Sequence, residues 1–220
     1  HTVIWCINFN KKKSNFDNAF EINVLGLIKL MNFLNLKELK KLIFFSSGSI
    51  YQPSSFKIKE NSRINLDDNY KITKYLGEKI CEVYRKYFKF KLIIFRPFTI
   101  YGKKQKNKLI YNLINKIKKN KKIYIDGKFG IILSCISVDD VTKIVKHIIL
   151  FFKKPKSVFN LSSPYSYSLY DFCNIISKKL NKNVKIVTNK NKVKNYVSDS
   201  NKLMKKFKFI NFENYIERII

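Results

Sequence analysis

Tyr70 and Lys74 stand four residues apart in Tyr70-Lys71-Ile72-Thr73-Lys74, directly after the turn-like Asp67-Asp68-Asn69. If this stretch is helical, residues four apart share a face and the ammonium can sit under the phenol. That geometry makes a base out of a tyrosine. A free phenol titrates near pH ~10, and a cation at ~4 Å in an effective dielectric of ~20 is worth roughly 4 kcal/mol, about three pKa units before desolvation opposes it. Such a tyrosine exchanges a proton with an alcohol near neutral pH. Upstream, Leu42-Ile43-Phe44-Phe45 runs into Ser46-Ser47-Gly48-Ser49-Ile50-Tyr51, placing small hydroxyls at the end of a buried strand. Open α/β sheets bind their ligands at the carboxyl ends of strands.

The elements that must position these groups alternate between strand-like and helix-like runs, which predicts a parallel sheet covered by helices. Thr2 to Ile7 reads as a strand, Phe16 to Asn35 as a helix, and the serine strand follows. The Tyr70 helix runs to about Phe88, with Ile72, Leu76, Ile80, Val83 and Tyr87 expected to face the sheet. Lys91 to Phe95 is the next strand, and a helix from Val138 to Phe152 leads to a strand at Val158 to Leu161. The rest reads as a smaller lobe: a helix at Lys108 to Lys118, a strand at Lys122 to Ile125, a hairpin around Gly127 to Gly130, a helix at Leu169 to Leu180, a strand at Val184 to Val187 and a terminal helix from Phe212 to Ile220.

Composition bounds the function. The 220 residues are 45% hydrophobic and 15% aromatic, a packed globule with no apolar run long enough to span a membrane. The formal net charge is +30, yet only four of the 45 basic residues are arginine, the fork favoured for reading phosphates and bases. A solvated lysine coat is the reading adopted, without nucleic acid as a partner and without a membrane. Cys6, Cys81, Cys135 and Cys173 are widely spaced and His1 and His147 are the only histidines, so neither a zinc site nor a disulfide framework is supported. Buried reduced thiols in a cytoplasmic protein are expected. Asp139 and Asp140 open a helix and read as capping acids ahead of a catalytic pair.

Taken in order, Asn23-Val24-Leu25-Gly26, Ser46-Ser47-Gly48-Ser49-Ile50-Tyr51, Tyr70-x-x-x-Lys74 with Glu78, Arg96-Pro97-Phe98-Thr99-Ile100-Tyr101-Gly102, Val138-Asp139-Asp140-Val141, Phe159-Asn160-Leu161 and Asp199-Ser200-Asn201-Lys202 resemble the extended short-chain dehydrogenase/reductase family, in its nucleotide-sugar epimerase and dehydratase branch. The resemblance implies a partial Rossmann-type, doubly wound α/β sheet with a smaller α/β substrate lobe. Residues 1–101, with 136–163 returning to them, would form part of the NAD(P)-binding domain, and 102–135 with 164–220 the substrate lobe. It implies NAD or NADP as cofactor, a nucleotide sugar as substrate and a homodimer as an admissible assembly. Tyr70 would be the acid/base while hydride passes to the nicotinamide, Lys74 would lower its pKa and hold the ribose, and Ser47 would bond the reacting oxygen. Ser46, Pro97 and Phe98 would line the cofactor; Gly48, Ser49, Thr99 and Lys192 would meet the substrate. Asn23 would make a structural hydrogen bond to the sheet, and Glu78 pairs with a surface lysine as readily as it serves function.

Departures narrow the activity. Gly48-Ser49 stands where dehydratases of this branch carry an acidic pair, which argues against dehydration and leaves an epimerase or a reductase. Thr99 and Leu133 replace an asparagine and an arginine that serve the substrate diphosphate, leaving Lys192 or Lys194 as charge without a bidentate fork. The family's glycine-rich first turn is not in the chain, and Thr2 to Ile7 matches its fourth strand, so roughly the first sixty or seventy residues of a family member are expected to be missing. The alternative is a relative that binds a nucleotide or partner without turnover.

Overall fold

The computed structural model describes residues 1–9 and 16–220 and divides them into two compact units. The first comprises 1–52, 60–97 and 145–161. Its sheet consists of β1 (Thr2–Trp5), β2 (Lys41–Phe45), β3 (Lys91–Pro97) and β7 (Lys156–Leu161), all parallel, in that order. The apolar runs explain why β2 and β3 are central: Leu42, Ile43 and Phe44, with Leu92 to Phe95, are buried on both faces. A parallel sheet with helical crossovers is the Rossmann-type arrangement the sequence predicts.

Helix α1 (Phe16–Phe20) continues through a single π turn (Glu21–Leu25) into α2 (Gly26–Phe33). The wide turn lies at Asn23, whose buried carboxamide is committed to tertiary hydrogen bonds. Helix α3 (Asn69–Phe88) starts at Asp68, whose carboxylate accepts from the Lys71 N–H at 2.8 Å, and stops at Lys89, which takes the left-handed conformation.

The buried face of α3 is not the expected one. Leu76, Val83 and Tyr87 are 36%, 51% and 78% exposed, whereas Thr73, Lys74, Gly77, Glu78 and Cys81 face the sheet. The reason is steric and polar at once. Gly77 permits an approach so close that a Cβ there would lie 2.5 Å from the Phe44 ring, and the polar groups beside it find partners inside the unit. Ile72 and Ile80 are half-buried, with Ile80 packed against the core, so the expected stripe runs along the edge of the buried face and out into solvent.

The second unit comprises 53–59, 98–144 and 162–220. Here β4 (Thr99–Tyr101), β6 (Ile132–Ser137) and β8 (Ser166–Ser168) form one sheet, and β5 (Ile123–Ile125) pairs in parallel with β9 (Ile186–Thr188). The hairpin expected around Gly127 to Gly130 is thus absent. Both glycines have positive φ and turn the chain, but the strands they join belong to different sheets. Helices α4 (Leu109–Lys118) and α6 (Leu169–Leu180) enclose a core in which Tyr101, Phe172, Phe212 and Tyr215 meet edge to face. Ser168 and Asp171 cap α6 reciprocally. The terminal helix is shorter than expected, with α8 (Phe212–Tyr215) passing into one tighter turn after α7 (Asn201–Met204).

Helix α5 (Val138–Phe151) contributes 138–144 to the second unit and 145–151 to the first. Its acids are structural: Asp139 pairs with Arg218 at 3.0 Å, and buried Asp140 accepts from the Ile210 N–H at 3.2 Å. The capping side chain is Ser137, which accepts from the Asp140 N–H. Among the described residues no helix is long and apolar enough to cross a membrane.

Candidate active site

The residues singled out for chemistry gather at the carboxyl end of β2, inside the first unit. There the strand gives way to Ser46 and Ser47, and a short helical turn follows at Gly48–Ile50. Extended backbone at Ser47 lets its hydroxyl accept from the Ser49 N–H at 3.1 Å and share a hydrogen bond with the Ser49 hydroxyl at 2.9 Å. The Ser47 side chain also lies within reach of the Tyr70 phenol, as does the side chain of Asn8. A strand-end alcohol and a helix-borne phenol are therefore neighbours.

Tyr70 lies in the first turn of α3, and burial raises its pKa above the ordinary phenol value; Ser47 and Asn8 pull the other way, and Asp68 adds a small upward push. Lys74 does not act on the phenol as the sequence suggested. Its ammonium, 2% exposed, donates to the Ile7 carbonyl at 3.4 Å and rests 5.1 Å from the centre of the Phe44 ring. Burial lowers its pKa to about 8, with Cys6, Cys81 and Glu78 opposing. Burial moves each of the two groups toward its neutral form.

Asn23 locks the helix in place. Its Oδ1 accepts from the Phe9 N–H at 2.8 Å, while Nδ2 donates to the Phe9 carbonyl and to the Thr73 hydroxyl, each at 3.1 Å. The chain leaving β1 is thereby tied to the turn of α3 between Tyr70 and Lys74. Glu78 is no surface partner of a lysine: it is 1% exposed and holds Arg96 with both oxygens. Arg96 also donates to the Tyr51 hydroxyl, which donates to Asn160.

Two polar groups at this strand end await partners. The Ser46 hydroxyl is buried with no hydrogen-bond partner among the described residues, and the Lys74 ammonium has three N–H bonds to place against one distant carbonyl. Such a pair fits a ligand that brings hydroxyl oxygens, as a nucleotide ribose does. Pro97 ends β3 in the same unit, half-buried. Phe98, Thr99 and Lys192 belong to the second unit: Thr99 begins β4 opposite Cys135, and Lys192 is exposed in a coil. Leu133, in β6, packs against that unit's core and pairs with Tyr167 of β8.

Sequence reasoning missed Asn8, one asparagine in a chain rich in them, and treated Cys6 as buried although it is exposed. The strand stops at Trp5, two residues before the expected end, so Cys6, Ile7 and Asn8 form the loop that faces Tyr70 and Lys74.

Comparison with known proteins bears on the family and the fold. A putative UDP-glucose 4-epimerase of Methanocaldococcus jannaschii is 31% identical over 129 residues, 56% of this chain and 42% of that protein. An uncharacterized UDP-glucose epimerase, YtcB, of Bacillus subtilis is 30% identical over 94 residues, 43% of this chain and 30% of that protein. The chain thus spans less than half the length of these curated relatives. The solved UDP-glucuronic acid 4-epimerase from Bacillus cereus, in complex with UDP-glucuronic acid and NAD, superposes on 99% of this chain and 73% of its own with a TM-score of 0.86; at 21% identity that likeness speaks to the fold. The profile of the NAD dependent epimerase/dehydratase family matches residues 7–162, and the chain belongs to that family.

Proposed function

We propose that the protein of which this chain is part is an NAD(P)-dependent nucleotide-sugar epimerase, or a related reductase, working through Tyr70, Lys74 and Ser47. The observation that carries the reading is the nearness of the Ser47 hydroxyl to the Tyr70 phenol at a strand end where the buried Ser46 hydroxyl has no hydrogen-bond partner among the described residues and the buried Lys74 ammonium has one long bond, to the Ile7 carbonyl. The nicotinamide, when bound, supplies reversible two-electron oxidation of a sugar carbon. Lys74 and Ser46 would hold the cofactor ribose, with Pro97 and Phe98 along its edge. Tyr70 would exchange the proton of the reacting sugar hydroxyl, and Ser47, with Asn8 behind the phenol, would orient it. Gly48, Ser49, Thr99 and Lys192 are the proposed substrate contacts. The first unit would be the cofactor domain and the second the substrate lobe.

The test is made on the intact protein with NAD or NADP and UDP-hexoses, scoring the sugar configuration by NMR. An epimerase returns its cofactor to the starting oxidation state, whereas a reductase consumes reduced cofactor stoichiometrically. Tyr70→Phe should abolish turnover while leaving cofactor binding; a variant that still turns over refutes the assignment of Tyr70. One observation favours a second reading, a relative that binds without turnover: Leu133 is built into β6, so the arginine expected for the diphosphate has no counterpart there. Nucleotide-sugar binding by calorimetry without any product would select it. The outward apolar side chains of α3, Leu76, Val83 and Tyr87, support a homodimer, which sedimentation decides.

A further inference from the structure

We infer that Phe44 is a positioning residue of this site: wedged against Gly77, its ring carries the Lys74 ammonium on its π face and fixes where that charge sits. The inference rests on the reading of Tyr70 and Lys74 given under Proposed function and adds a residue to it. Phe44 lies on β2, two residues before the serines, and is 1% exposed. Its ring meets α3 at two successive turns. At Gly77 the ring occupies the space a side chain would fill, 2.5 Å from an ideal Cβ, so the glycine is what admits it. One turn earlier Lys74 Nζ lies 5.1 Å from the ring centre, within the range of a cation–π contact.

What else could hold the cation is limited. The Ile7 carbonyl accepts at 3.4 Å, a long bond. Of the titratable groups facing Lys74, partial desolvation keeps the Cys6 thiol after β1, and burial the Cys81 thiol on α3, above their ordinary pKa, hence neutral at pH 7. Glu78, also on α3, has both oxygens on Arg96 of β3. Asn23, from the π turn, offers its oxygen to Phe9. The face of Phe44 is the uncommitted negative surface beside a charge that burial disfavours.

The experiment titrates Lys74 directly and needs no cofactor. Phe44 is replaced in the described chain by 4-fluoro-, 3,5-difluoro- and 3,4,5-trifluorophenylalanine, which weaken the ring quadrupole while nearly preserving shape. The Lys74 Cε resonance, identified by its loss in Lys74→Arg, is followed against pH. The midpoint should fall stepwise with fluorination, by about half to one pH unit in all, because the charged form loses its partner. A midpoint that stays at the wild-type value across the series overturns the inference, as ring packing alone would leave it there. A stepwise fall in a protein that never turns over nucleotide sugars upholds the role of Phe44 and refutes the catalytic reading alone.

Discussion

Arg96 lays both arms of its guanidinium on Glu78, Nε to Oε1 at 2.9 Å and Nη2 to Oε2 at 2.6 Å, with both residues nearly excluded from solvent. The pair joins β3 to the turn of α3 after Lys74, and Tyr51 and Asn160 extend it to β7. Removing one partner strands a buried charge. Glu78→Leu or Arg96→Met alone should destabilise the fold by about 3–5 kcal/mol, whereas the double replacement Glu78→Leu with Arg96→Met should recover most of that loss. Urea unfolding of the four members of this cycle measures it; equal losses in single and double variants would contradict the pairing.

Lys74 supplies a prediction whose sign is opposite. Its folded-state pKa, about 8, lies below the ordinary lysine value, so the folded protein binds fewer protons than the unfolded chain between the two. Stability attributable to this group therefore rises as pH climbs from about 8 toward the ordinary lysine range, and below about 8 the buried cation disfavours folding throughout. Lys74→Met should stabilise the protein at pH 7 by on the order of 1–3 kcal/mol. The gain should shrink toward alkaline pH, as chemical denaturation at pH 7 and pH 10 will show.

Asn23 should be worth more to the fold than its place in a helix suggests. Replacing it by leucine breaks bonds to both backbone groups of Phe9 and to Thr73, leaving the Phe9 N–H and C=O without this partner. A loss of about 2–4 kcal/mol is expected, against about 1 kcal/mol for Thr73→Val, which breaks one of them. Thermal unfolding of both variants gives the comparison.

Ser47 joins structure to chemistry. Ser47→Ala removes the acceptor of the Ser49 N–H, with an expected stability loss of about 1 kcal/mol. It also removes a neighbour of the Tyr70 phenol, for which a fall in turnover of about 10²–10³ is expected in the intact protein. Kinetics at matched folded fraction separate the two effects.

The order of strands and helices in the first unit, the parallel sheet and the meeting of Ser47 with Tyr70 were all legible in the chain, because apolar runs, serine-rich strand ends and helical spacing are local patterns that burial must obey. Tertiary structure alone decided which face of α3 turns inward. There the apolar stripe of Leu76, Val83 and Tyr87 stays outside, since a glycine admitting the Phe44 ring and two polar anchors, Asn23 to Thr73 and Arg96 to Glu78, together outweigh periodicity. It also decided the charge balance of the site. Spacing placed an ammonium one turn from a phenol, but the depth at which each is buried, which no local pattern encodes, raises the pKa of Tyr70 and lowers that of Lys74.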